Sequence, residues 1–296
     1  MKKKIEYNID SSRKYGWKPD WFGAKDFGAD LVTKVMDFQS SFSLTPDGMV
    51  GPMTYRRAFT DRQANIDDYQ PEGQHIVYNG EFFPIKWDKV LLWDEPGGMS
   101  LNSDTHTFMG GKPPRKVNMF VNHWDVCLNS KSCVNILNKR KVSVHFCIDN
   151  DGTIYQLIDM QHTGWHASSR TVNNLSVGVE ISNAFYTKYQ GWYEKRFGPR
   201  PIVEDAMVHG RKLETHLGFY PVQIEALKAL WKAVSEACDV PLEAPLVDGR
   251  LDTGVNKEVT SGAFRGFVNH YNVTAKKIDC AGLPVDTLLE EVKKVG

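Results

Sequence analysis

Nowhere does the chain carry a run of about 18 apolar residues, so no segment reads as a transmembrane helix. Charge of one sign is not in excess: Lys+Arg and Asp+Glu number 36 each. Bulk electrostatics therefore offers nothing to a polyanion, and nucleic acid is not an expected partner. Cysteine is scarce; Cys127, Cys133, Cys147, Cys238 and Cys280 form an odd, scattered set, not a disulfide framework. They read as reduced, buried small hydrophobes of a protein made in a reducing cytoplasm, with Cys127 and Cys133 near enough in sequence to pair. The start, Met1-Lys-Lys-Lys-Ile-Glu-Tyr7, has the positive charge of a signal peptide but no apolar core behind it, so export by that route is not expected. Internal repeats are not evident.

What is present suits one large or two unequal folded units. The apolar share of 41% argues against disorder in a chain of 296 residues. Residues 1–65 read as a small all-helical domain. Leu31, Val35, Phe38 and Phe42 share one helical face, Pro46-Asp47-Gly48 is a turn, and Pro52 stands where a second helix can start. Residues 66–80 have the composition of a linker. Residues 81–296 form the second domain. In it Val117, Met119 and Val121 alternate as in a strand, two alternating runs flank the turn signal Asn150-Asp-Gly152, and Leu175 to Ile181 is a buried strand interrupted by Glu180. Ile224, Leu227, Leu230, Trp231 and Val234 line one side of a helix. Strands alternating with helices predict an α/β fold, a mixed central β-sheet flanked by helices and preceded by the helical domain.

Near the end, His270-Tyr-Asn-Val-Thr274 and Lys277-Ile-Asp279-Cys280 place an imidazole and a thiol ten positions apart, with a carboxylate beside the thiol. That is part of a metal site. A catalytic zinc takes about three protein ligands and leaves one position open. His123, at the end of its strand, is the candidate for the missing ligand, and His123, His270 and Cys280 would complete the set. Asp279 in place of Cys280 remains open.

Several short stretches in order carry a family resemblance: Phe120-Val-Asn-His123, Ser143 to Leu157, Gly164-Trp-His-Ala167, Ser176-Val-Gly-Val-Glu-Ile181, and His270 through Cys280. Together they resemble the zinc-dependent N-acetylmuramoyl-L-alanine amidases, a family that includes phage lysins and is related to the peptidoglycan recognition proteins. The resemblance implies Zn2+ held by His123, His270 and Cys280, with Glu180 as general base and Lys277 stabilising the oxyanion. It further implies hydrolysis of the amide between N-acetylmuramic acid and L-alanine. Relatives often place lysine two positions before the ligand, which fits Asp279 better than Cys280. Val144 stands where part of the family has a catalytic tyrosine, which moves the burden to Glu180.

Trp165 and His166, on a loop, read as cleft residues that bind substrate. His145 reads either as such or as a satisfied core histidine. Phe38-Gln39 and Leu44-Thr-x-Asp47-Gly48-x-x-Gly51-Pro52-x-Thr54 resemble the peptidoglycan-binding domain of cell-wall hydrolases, which implies ligand contacts at Asp47 and Gly48. The expectation for the whole is a monomeric phage endolysin made in the host cytoplasm, acting on wall peptidoglycan without membrane insertion. The alternatives are a non-catalytic recognition protein, which the thiol argues against, and a metal-free Cys/His hydrolase.

Overall fold

The computed structural model describes residues 1–294. Its first part is helical, with α1 (Lys2–Tyr15), α2 (Ala29–Ser41) and α3 (Pro52–Ala64). Their apolar faces bury Trp17, Trp21, Leu31, Val35, Tyr55 and Phe59 in one small core. Pro52 opens α3, as its fixed φ and missing N–H favour.

The loop between α2 and α3 corrects one expectation. Asp47 and Gly48 hold the loop together instead of facing outward to a ligand. Asp47 Oδ1 accepts from Met49 N at 2.8 Å and from Gln39 Nε2 at 2.9 Å. Buried Gly48 donates its N–H to Gln39 Oε1 at 2.8 Å, and its carbonyl accepts from Asn8 Nδ2 at 3.0 Å. Gly48 adopts φ +72°, and a Cβ there would lie 2.7 Å from Val32 Cγ1, so conformation and close packing both demand glycine.

Residues 66–80, expected to be a linker, are packed. They hold β1 (His75–Tyr78) and the turn that leads into β2 (Glu81–Pro84), its antiparallel partner. Ile66 and Val77 are buried with Leu92. At the hairpin turn, Asn79 receives the Tyr55 hydroxyl on Oδ1 at 2.8 Å and donates from Nδ2 to Tyr15 O at 2.9 Å. The buried carboxylate of Asp159 sits on the other side. It accepts from Asn79 N, Gly80 N and Gln63 Nε2, each at 2.8 Å, and from Gln161 N at 2.7 Å. Helical part and sheet are thus joined through a polar knot in which the donors are matched.

The larger part is built on a six-stranded mixed sheet. Its strands are β3 (Val90–Leu91), β4 (Met119–Trp124), β5 (Phe146–Ile148), β6 (Ile154–Gln156), β7 (Ser176–Ile181) and, further along, β14 (Gly266–Asn269). Their order is β14-β4-β7-β5-β6-β3. All neighbours are parallel except β5 and β6, which form the expected hairpin. Between β7 and β14 the chain adds short two-stranded ribbons. β8 (Ile202–Val203) pairs with β11 (His216–Leu217), β9 (Met207–Val208) with β10 (Arg211–Lys212), and β12 (Leu246–Val247) with β13 (Arg250–Leu251).

The period-two alternation of the strands sorts the two faces. Phe120, Trp124, Val177, Val179, Ile181, Phe146 and Phe267 point one way. There they meet α7 (Pro221–Cys238) through Leu227, Leu230, Trp231 and Val234, and α9 (Val285–Lys294) through Leu288 and Leu289. The other face carries Met119, Val121 and Val268 under Val172 of α5 (Arg170–Leu175) and Val259 of α8 (Lys257–Ser261). Beside them, Val144 and Cys147 pack under α4 (Ser130–Arg140). The helix α6 (Gln190–Phe197) packs outside this, with Tyr193 buried.

The knot at Asp159 generates a prediction. Asp159→Ala leaves buried backbone donors without an acceptor, each costing about 1–3 kcal/mol. The variant is expected to unfold at a clearly lower urea midpoint than wild type, with Asp159→Asn in between because it keeps one acceptor oxygen. Equal midpoints for all three would show that the knot contributes nothing.

Candidate metal centre

His123 is the fifth residue of β4, and its register partner across the parallel pair is Glu180 of β7. On the other side, the pairing of β14 with β4 ends at Asn269↔Asn122, so His270 follows one residue past the place where the two strands part. Both imidazoles therefore stand at the carboxyl ends of neighbouring parallel strands. Asn122, on the opposite face, fixes the end of β4. Its Oδ1 accepts from Trp231 Nε1 at 3.1 Å, and its Nδ2 donates to Val268 O at 3.0 Å. The turn beyond β14 is pinned by Asn269 N donating to Asn272 Oδ1 at 2.9 Å, and by Asn272 Nδ2 donating to Asp252 O at 2.8 Å.

The chain then loops out and returns, and Tyr271 N donates to Asp279 O at 3.1 Å. That return aims the Asp279 carboxylate at both imidazoles: Oδ2 lies 3.0 Å from His270 Nδ1 and 3.2 Å from His123 Nδ1. The two Nδ1 atoms are 2.9 Å apart. His123, His270 and Asp279 are all buried and form a group of donors close enough to share one ion.

Cys280 is not in this group, and here the structure departs from the expected ligand set. Asp279 and Cys280 are the two central residues of a turn closed by Ala281 N donating to Ile278 O at 2.8 Å, and their side chains leave it on different sides. Asp279 takes the polar side, and Cys280 enters the apolar core with Tyr271, Ala281 and Leu283. Burial pushes its thiol well above the usual range, with the Asp279 and Glu180 charges adding to the effect. A thiol held protonated in an apolar core is a poor metal ligand.

The surroundings shift the acidity of two of the three donors. Burial, and then the charge of His270, hold the His123 pKa down to about 4, so its ring is neutral near pH 7. Burial alone would raise Asp279, but the contacts from His123 and His270 prevail and hold it below the ordinary carboxylate range. His270 Nε2 is buried without a hydrogen-bond partner among the described residues.

Glu180 lies beside the group, half-buried, its Oε2 without a partner among the described residues. Burial drives its pKa well above the ordinary range, and the charges of Asp125 and Asp279 push in the same direction. Asp125 was not singled out in the sequence, where nothing marks it apart from its place two residues after His123. Lys277 is exposed, and its charge bears on both Glu180 and His123.

The other expected site residues divide. His166 stands behind His123: its Nδ1 is 3.0 Å from His123 Nε2, and its Nε2 is 3.3 Å from Ser176 Oγ. It orients His123 instead of forming a free cleft wall. Gly178 makes room for it, since a Cβ there would come within 2.7 Å of the His166 ring. Trp165 is 37% exposed and donates from Nε1 to Thr107 Oγ1 at 3.2 Å, which leaves its face open at the rim. His145 is corrected to a core residue. It is fully buried, accepting from Gly178 N at 3.1 Å on Nδ1, with Nε2 directed to His162 O at 3.0 Å. Both ring nitrogens are thereby engaged by backbone.

Among solved structures the chain is similar to the N-acetylmuramyl-L-alanine amidase AmiD from E. coli in complex with anhydro-N-acetylmuramic acid-L-Ala-D-gamma-Glu-L-Lys. There the identity is 24% over 44% of this chain and 46% of that one, with a TM-score of 0.31. It is also similar to AmpDh3 from Pseudomonas aeruginosa in complex with anhydromuramic pentapeptide, with 19% identity, 61% of each chain and a TM-score of 0.39. An endolysin N-acetylmuramoyl-L-alanine amidase from Clostridium intestinale matches at 15% identity over 70% of this chain and 94% of that one, with a TM-score of 0.36. The chain thus spans about half of the AmiD structure and three-fifths of AmpDh3. No curated protein sequence matches it. The profile of a peptidoglycan binding domain matches residues 13–57, within the helical part. That of N-acetylmuramoyl-L-alanine amidase matches residues 113–279, more than half of the chain and the whole of the site just described. The chain belongs to the N-acetylmuramoyl-L-alanine amidase family.

Proposed function

We propose that the chain is a zinc-dependent peptidoglycan hydrolase that cleaves the amide between N-acetylmuramic acid and L-alanine, with His123, His270 and Asp279 holding the ion. The convergence of two imidazoles and a carboxylate at one point carries this reading. Tetrahedral donors at about 2.0–2.2 Å from zinc stand roughly 3.3–3.6 Å from one another. The observed separations of 2.9 to 3.2 Å reach that spacing with a few tenths of an ångström of opening. A neutral His123 ring and an ionised Asp279 carboxylate are also protonation states that zinc requires. His166 on the far nitrogen of His123 supplies the outer contact that fixes a ligand ring.

Zinc bound there supplies Lewis acidity, which makes water nucleophilic near neutral pH and polarises the scissile carbonyl. Glu180 takes the proton from the attacking water and passes it to the departing L-alanine nitrogen, a transfer favoured by its raised pKa. Lys277 places a positive charge near the carbonyl oxygen as negative charge develops there. The exposed face of Trp165 receives sugar or peptide at the rim. The helical part, matched by the peptidoglycan-binding profile, holds the enzyme on its polymer, and the whole acts as a monomeric lysin at the cell wall. Among the described residues no helix is long and apolar enough to cross a membrane.

The direct test is digestion of purified peptidoglycan with analysis of the new ends. Free L-alanine amino termini without new reducing sugars are expected, and new reducing ends would overturn the assignment. Glu180→Gln is expected to lower kcat by about 10²–10⁴-fold, the range for loss of a general base.

The pH profile gives a second test. The base must be ionised, so activity falls as pH drops through the Glu180 pKa. Removing the negative charge of Asp125 favours ionised Glu180, so Asp125→Asn is expected to move the acid limb of kcat/KM to lower pH. An unchanged or upward-shifted limb would separate Glu180 from the observed titration.

A further inference from the structure

The chain inserted between β7 and β14 closes on the loop that carries Lys277 and Asp279. Residues 274–278 form neither strand nor helix, and Ala275, Lys276 and Lys277 are exposed. Within the loop, Lys277 N donates to Thr274 O at 3.2 Å. Among the described residues one hydrogen bond reaches 274–278 from another part of the chain: His209 Nε2 donates to Lys277 O at 2.9 Å. A carbonyl oxygen only accepts, so Nε2 carries the proton, as it does in both the Nε2–H tautomer and the imidazolium.

His209 is itself fixed in place. With Gly210 it joins β9 to β10, and the two residues have φ of +53° and +70°, the positive pair that a two-residue type I′ hairpin turn requires. His209 N donates to Thr253 O at 2.9 Å, which ties the turn to the stretch after β13. That same stretch holds one root of the loop, since Asn272 Nδ2 donates to Asp252 O at 2.8 Å and to Gly254 O at 3.0 Å. Asparagine before glycine is the preferred pair for such a turn. The turn alone therefore does not account for an imidazole at this position, whereas reach to the Lys277 carbonyl does.

We propose that His209 is a positioning residue for Lys277. By holding the lysine's carbonyl it fixes the direction in which the side chain leaves the loop, and so the placement of a charge that bears on Glu180 and His123. The proposal rests on the oxyanion role given to Lys277 above. A general brace for the metal ligands is the competing use of this contact. Against it, the roots of the loop are tied without His209, through Tyr271 N to Asp279 O at 3.1 Å and through Asn272. Loss of the ring frees the middle of the loop and leaves Asp279 in the ligand group.

The test compares the zinc-loaded wild-type chain with two variants. His209→Asn keeps a residue suited to the turn, but its shorter amide does not reach the carbonyl. His209→Gln is one methylene longer and brings an Nε2 donor back to it. On solubilised peptidoglycan, His209→Asn is expected to lower kcat about 10-fold with KM and bound zinc unchanged, because small misplacements of a reacting group are costly. His209→Gln is expected to restore most of the loss. Hydrogen exchange in peptides covering 273–280 is expected to quicken in His209→Asn and not in His209→Gln. In a Lys277→Ala background, His209→Asn is expected to cause no further fall in kcat, as for two residues acting through one contact.

Wild-type kcat and loop exchange in His209→Asn, an undiminished loss in the Lys277→Ala background, or loss of zinc from His209→Asn would each overturn the proposal while Lys277 keeps its role. Full activity of Lys277→Ala would overturn the oxyanion role, and the proposal with it, so the two failures are told apart. Should His209→Asn fail to fold, the ring 15N spectrum of the wild-type chain decides: a protonated Nε2 is expected, and a bare Nε2 overturns the contact.

Discussion

Everything distinctive in this molecule turns on the meeting of His123, His270 and Asp279 in a buried pocket at the carboxyl ends of two adjacent parallel strands. Three polar groups buried together are costly unless each is matched. Here each of the facing atoms lies within hydrogen-bond distance of the other two, while His270 Nε2 has no partner among the described residues. The arrangement persists because its supports are rigid: the register of β14 with β4, the Asn122 contact to Trp231 behind the sheet, and the return of the 271–279 loop through Tyr271. Moving any of these would take a donor out of the group.

The surroundings are tuned to the same point. Glu180 is the register partner of His123, so one strand pairing fixes both the proposed base and the first imidazole. Its neighbour Asp125 is held by backbone donors of the β4–α4 turn and of the segment after β7, which ties the acidity of Glu180 to the order of that turn. On the far side, the Asp159 knot locks the helical part against the sheet through the Asn79 turn. Loop residues reaching from that junction touch the cleft rim, where Trp165 donates to Thr107. The helical part is therefore seated on the larger part through directed hydrogen bonds.

Much of the fold was legible because its signals are local. Alternation marked β4 and β7, Asn150-Asp-Gly152 marked the β5–β6 hairpin, and helical spacing marked α7, although Ile224 is only half-buried where the sequence placed it inward. The linker expectation for residues 66–80 failed for a physical reason. Polar residues there serve a tertiary knot, and Asn79 looks like any loop asparagine until Tyr55, Tyr15 and Asp159 surround it. The histidines were legible as a set but not in role. Nothing local distinguishes His145, satisfied by backbone, from His166, which backs a candidate ligand, because the distinction lies in what each ring meets across the sheet. Asp279 and Cys280 were the hardest case, two adjacent donors of which the chain can aim only one at the pocket. The position of Lys277 two residues before Asp279 was the signal that favoured the carboxylate.

The central claim is that the third donor is the Asp279 carboxylate and not the Cys280 thiol. X-ray absorption spectroscopy of the zinc-loaded protein at the zinc edge tests it most directly, because sulfur and oxygen scatter at separable distances. The account predicts a shell of nitrogen and oxygen neighbours alone at about 2.0–2.2 Å. A sulfur neighbour at about 2.3 Å would contradict it.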